Sequence, residues 1–108
     1  MHVEEIRLYA LQKENATEGF PFGEDTLVFK TNNKIFLLVS LDNADLRLNV
    51  KAEPDKAIEQ REEYPVNIVP GYHMNKKHWN TIIIAGLKTK LLMQLIDDSY
   101  NLVAKKKK

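Results

Sequence analysis

Thr26-Leu27-Val28-Phe29-Lys30-Thr31-Asn32-Asn33-Lys34-Ile35-Phe36-Leu37-Leu38-Val39-Ser40-Leu41 decides the fold. Two runs rich in Val, Leu, Ile and Phe flank Asn32-Asn33, a dipeptide that tolerates the positive φ of a tight hairpin turn. The second run, Ile35 to Val39, is apolar without alternation, which predicts a central and largely buried strand. Downstream, Leu46, Leu48 and Val50 alternate with Arg47, Asn49 and Lys51, the pattern of a strand with one face on the core and the other in solvent. Upstream, Phe20-Pro21-Phe22 suits an extended edge segment, because proline cannot donate to a ladder from a central strand; its two phenylalanines read as core plugs.

Helices bracket these strands. Val3, Ile6, Tyr9, Ala10 and Lys13 form a helical stripe over residues 2–14, with Glu4 and Glu5 at the positive end of the helix dipole. Glu53-Pro54-Asp55 starts a second helix that Tyr64-Pro65 stops, and Gln60-Arg61-Glu62-Glu63 reads as its solvated face. A strand follows over residues 79–84, broken by Gly86. From Lys88 onward Leu91, Leu92, Leu95, Ile96, Ser99, Leu102 and Val103 recur at helical spacing, a stripe read as core. These elements predict one α+β domain over residues 1–104 and a lysine tail over 105–108. The expected architecture is an antiparallel sheet with helices mainly on one face, in the order α-β-β-β-α-β-β-α, with a short extra strand near Phe20.

Composition narrows the function. At 108 residues the chain has room for one core, and with no cysteine it can hold neither a disulfide nor a thiolate zinc site. The opening Met1-His2-Val3-Glu4-Glu5 is acidic, and the longest apolar run is far too short for a membrane span, so a cytoplasmic protein without a targeting segment is expected. The net charge of +1 conceals a split: without Lys105 to Lys108, twelve basic residues face fifteen acidic ones, a body of −3. Any nucleic-acid contact must therefore be local, weak and salt-sensitive.

Chemistry-bearing residues crowd into Val69-Pro70-Gly71-Tyr72-His73-Met74-Asn75-Lys76-Lys77-His78-Trp79-Asn80-Thr81. Pro70-Gly71 predicts a sharp bend delivering Tyr72 and His73. Beyond it Lys76 and Lys77 can meet phosphates while His78 or Trp79 stacks on a base. On the residues alone the favoured reading is the plainer one, in which Trp79 is a mostly buried residue at the start of a strand, Tyr72 packs beside it, and the lysines are ordinary solvated charges. His73 and His78 are five residues apart, which fits neither a two-histidine zinc helix nor a facial triad, and no metal or cofactor is expected. No nucleophile elbow or phosphate-cradling glycine loop is present, so the reading is non-enzymatic; an active site, were there one, would draw on Tyr72, His73, Lys76 and His78.

This stretch resembles the signature of the MmcQ/YjbR family. Phe20-Pro21-Phe22-Gly23, Thr26-Leu27-Val28-Phe29-Lys30 and Ile96-Asp97-Asp98-Ser99-Tyr100 fall where that family has similar segments. The resemblance implies a frataxin-like or secretion-chaperone-like fold and a double-wing mode of DNA binding. An iron role would need a dense acidic ridge, which Glu4, Glu5 and Glu14 do not make. On that reading one wing is the Asn32-Asn33 hairpin with Lys30 and Lys34, and the other carries Asn75, Lys76 and Lys77, flanked by His73 and His78. Arg47 and Lys51 are further phosphate candidates, with a solvated strand face as the plainer alternative. The competing functions are a protein-interaction module and a small-ligand binder centred on His73 and His78. Two projecting basic hairpins would favour DNA, an apolar groove a protein, and a closed pocket between the histidines a ligand.

Overall fold

A computed structural model of the chain describes residues 1–42, 46–71 and 74–104. The elements are α1 (Val3–Leu11), β1 (Ala16–Gly19), β2 (Thr26–Thr31), β3 (Lys34–Ser40), β4 (Arg47–Lys51), α2 (Pro54–Glu63), β5 (Ile68–Pro70), β6 (Trp79–Ile83) and α3 (Thr89–Ala104). The six strands form one antiparallel sheet in the order β1-β2-β3-β4-β6-β5. The expected α+β architecture is present, and the extra strand near Phe20 is β1.

Local chemistry explains the boundaries. Asn32 and Asn33 take φ of 49° and 69° at the β2–β3 turn, as that dipeptide allows. The first helix stops at Leu11, short of residue 14, and the chain reverses through Asn15 at a φ of 61° before entering β1. Glu5 accepts the backbone N–H of His2 at 3.0 Å, satisfying one donor at the open start of α1. Pro54 occupies the first turn of α2, where its missing N–H costs nothing.

Register sorts the strand residues onto two faces. Leu27, Phe29, Leu37, Val39, Leu48, Val50, Ile68 and Ile82 share one face and pack with Ile6, Ala10, Leu92, Leu95, Ile96 and Val103 from α1 and α3. The pairing of β2 with β3 slips between Phe29 and Lys30, so Phe36 is an extra, unpaired residue. That bulge frees the Phe36 carbonyl, which accepts the Ser99 hydroxyl at 2.6 Å, while the same Oγ accepts the Lys51 N–H at 2.8 Å. Ser99, fully buried on the α3 stripe, thereby pins the helix to two strands. The Phe36 ring packs edge-on against Tyr100 with centroids 5.2 Å apart.

Three expectations are corrected. Phe20 and Phe22 are 52% and 65% exposed rather than core plugs, because the chain turns at Pro21-Phe22 and carries both rings past the end of β1. Pro70-Gly71 is not a bend: Pro70 ends the edge strand β5, and the Gly71 N–H continues the ladder to the Trp79 carbonyl at 2.9 Å. Glycine is needed there for closeness, since a Cβ would stand 2.9 Å from the Trp79 Cβ. Asn49 is 8% exposed, not solvated, because β4 is interior to the sheet and Thr81 of β6 donates to its side-chain oxygen at 2.6 Å.

Candidate nucleic-acid interface

Antiparallel order places the chain reversals. The β2–β3 turn and the β5–β6 connection leave the same end of the sheet, since Lys51 at the end of β4 pairs with Trp79 at the start of β6. The two hairpins stand three strand positions apart, or about 14 Å at ~4.8 Å per strand. Lys34 is exposed on the first; Asn75, Lys76 and Lys77 are exposed on the second, as expected for solvent-facing cations.

Residues 75–80 of the second hairpin are held by several hydrogen bonds. Asn75 accepts the Lys77 N–H through its side chain at 2.9 Å and the His78 and Trp79 N–H groups through its carbonyl. Arg61 on α2 donates to the Lys76 carbonyl and to Asn80 Oδ1, both at 3.1 Å. Asn80, fully buried, donates in turn to the Ala57 carbonyl and to Gln60 Oε1. Gln60 and Arg61, read from sequence as a solvated face, thus moor the turn that presents Lys76 and Lys77. Their role was hidden because the partner, Asn80, is about twenty residues distant. His78 and Trp79 are partly buried, so the indole is mostly covered, as a structural residue at the start of a strand would be, and is not a free stacking platform. His73 and Tyr72 lie outside the described residues, as do Lys105 to Lys108.

Lys30, Arg47, Lys51 and Trp79 share the sheet face opposite the helices, by register with Leu38, Asn49 and Thr81. Lys30 and Lys51 stand toward the hairpin end, while Arg47 is four residues away along β4, about 13 Å. Its Nε is buried without a hydrogen-bond partner. Charge follows the same division. The strands carry Lys30, Lys34, Arg47 and Lys51 against Glu18 alone, and Glu18 is held by Arg7 at 2.6 Å on the helical side. The helices carry Glu4, Glu5, Asp55, Glu59, Glu62, Glu63, Asp97 and Asp98 against Arg7, Lys56, Arg61 and Lys90. The negative body charge therefore resides mainly in the helical layer.

A polar cluster that the sequence did not signal joins α1 to α3. Asp97 accepts the Tyr9 hydroxyl at 2.7 Å and pairs with Lys13, whose ammonium lies 4.7 Å from the Tyr9 ring centre and 5.3 Å from that of Tyr100. The bond to Asp97, reinforced by burial and by the carboxylate charge, pushes the Tyr9 phenol up to about 12. Each of these groups has an internal partner, so the cluster reads as a clamp between helices. Among the described residues no group of three or more His, Asp or Glu side chains could hold a metal, and no helix is long and apolar enough to cross a membrane.

The YjbR family model matches residues 11–102. The chain belongs to the YjbR family. The YjbR domain is 44% identical over 85 residues to the protein YbdF of Escherichia coli O157:H7, covering 78% of this chain and 69% of that protein. It is 25% identical over 101 residues to Escherichia coli YjbR, covering 93% and 85%. Among solved structures, a Deinococcus radiodurans protein with a DUF419 domain superposes with a TM-score of 0.90 at 37% identity, covering 95% of this chain and 78% of that one. A Pseudomonas syringae protein gives 0.81 at 27% identity, covering 95% and 99%.

Proposed function

We propose that this YjbR domain binds duplex DNA without catalysis, gripping the phosphate backbone with the two hairpins at one end of the sheet. The observation that carries the reading is their common direction: Lys34 on one tip and Lys76 and Lys77 on the other flank the row that holds Lys30, Lys51 and Trp79. Cations and backbone amides there can position phosphates, and no base-reading element is assigned. Confinement of most carboxylates to the helices supports the reading, because a body of −3 can still offer a locally positive edge. The spacing of about 14 Å lets the hairpins meet phosphates on both sides of a groove roughly 12 Å wide.

Binding isotherms at several salt concentrations test this. Lys76→Ala with Lys77→Ala should weaken duplex binding and reduce the salt slope by up to roughly two units, with the thermal midpoint unchanged. Deleting Lys105 to Lys108 should leave most affinity intact. If only the tail deletion loses affinity, or if the intact chain binds no duplex, the reading fails.

A further inference from the structure

The helical layer has a gap. α3 packs over β2, β3 and β4, while α2 packs over β5 and β6, and between the two helices runs an open groove of about 700 Å³. Its walls are single helical stripes: Lys56, Gln60 and Glu63 recur along α2, with Glu53 at its N-cap, and Leu91, Gln94, Asp98 and Asn101 recur along α3. The floor is apolar. Ala52, Ile68 and Leu95 are buried beneath it, and Tyr64, Leu91 and Leu102 are half-buried along it. The α3 stripe read from sequence as wholly core is therefore split: Leu92, Ile96 and Val103 are buried on the sheet side, while Leu91 and Leu102 look into the groove.

Charge defines what would fill it. Glu53, Glu59, Glu63 and Asp98 stand on the rim against Lys56 alone, and that lysine already lies 3.9 Å from Glu59. Glu53 and Glu63 make no ion pair among the described residues. An apolar trough edged by carboxylates is complementary to a helix that carries leucine-like side chains on one face and lysine or arginine on its flanks. The ten residues of α2 span about 15 Å, enough to accompany roughly three turns of such a helix. We infer that the groove between α2 and α3 is a docking site for a basic amphipathic helix of a partner protein. It lies on the side of the sheet opposite Lys30, Arg47 and Lys51, so this inference stands apart from the DNA reading.

The test uses the full chain and a fluorescein-labelled helical peptide of about 16 residues, with leucines at i, i+3, i+4 and i+7 and lysines beside them. A matched peptide replaces each lysine by glutamate. Anisotropy titration should give saturable binding of the basic peptide and at least roughly tenfold weaker binding of the acidic one. Glu63→Lys with Asp98→Lys, both exposed, should weaken the basic peptide by roughly tenfold or more while leaving the thermal midpoint within a few degrees. Equal affinity for the two peptides, or no binding of either, overturns the inference without reference to any variant. So does sedimentation that shows a dimer of this chain abolished by the double reversal, which would give the groove to a second copy.

Discussion

The two faces of the sheet use the same six strands yet meet different demands. On the helical face the buried strand residues from Leu27 to Ile82 are aliphatic or aromatic apart from Thr31, whose hydroxyl donates to the Glu14 carbonyl, and Asn80, which is bonded into α2. On the opposite face Val28, Leu38, Asn49 and Thr81 form a buried row, with Lys30, Arg47, Lys51 and Trp79 around it. The large apolar core lies on the first face and the row of strand cations on the second. A polar pair is tolerable in the middle of the open face because Thr81 and Asn49 satisfy each other, whereas an unpaired one would cost more than it contributes.

The largest test of that contrast is Phe36→Ala. It removes a fully buried ring packed against Phe29 and Tyr100, and denaturant unfolding should lose about 3–5 kcal/mol. Asn49→Ala removes the bond to Thr81 on the other face and should lose only about 0.5–1.5 kcal/mol. Were the two losses equal, the contrast between the two faces would not extend to stability.

A smaller effect is written in pH. The hydrogen bond from Arg7 holds the Glu18 carboxyl below the usual carboxylate range; burial opposes it and the guanidinium charge assists it. A lowered folded value means stability that is present above the unfolded value and lost as pH falls through the folded one. Both side chains are partly exposed, 37% for Arg7 and 28% for Glu18, so solvent screening keeps the effect small. Thermal midpoints should show wild type ahead of Glu18→Gln near neutrality, with the gap closing in acid. A gap that persists below the folded value would mean that Glu18 acts by packing rather than charge.

Legibility followed range. The Asn32-Asn33 turn, the proline start of α2 and the α3 stripe were readable because each depends on residues within a few positions of one another. Lys76 and Lys77 were readable as exposed charges, but Arg61 and Asn80, which hold their turn, were not. Phe20 and Phe22 misled, since hydrophobicity alone says nothing of where a chain reversal will carry a side chain.

By itself the sequence determined the element types, the antiparallel hairpin, the absence of cysteine chemistry and the charge split between body and tail, all consequences of composition and short-range periodicity. Only the tertiary structure decided that β4 lies beside β6. Once Lys51 pairs with Trp79, Asn49 becomes interior and both hairpins point the same way. The same pairing separates α2 from α3 and opens the groove between them. That pairing joins residues roughly thirty positions apart, and its free energy comes from the shared apolar face rather than from any local preference.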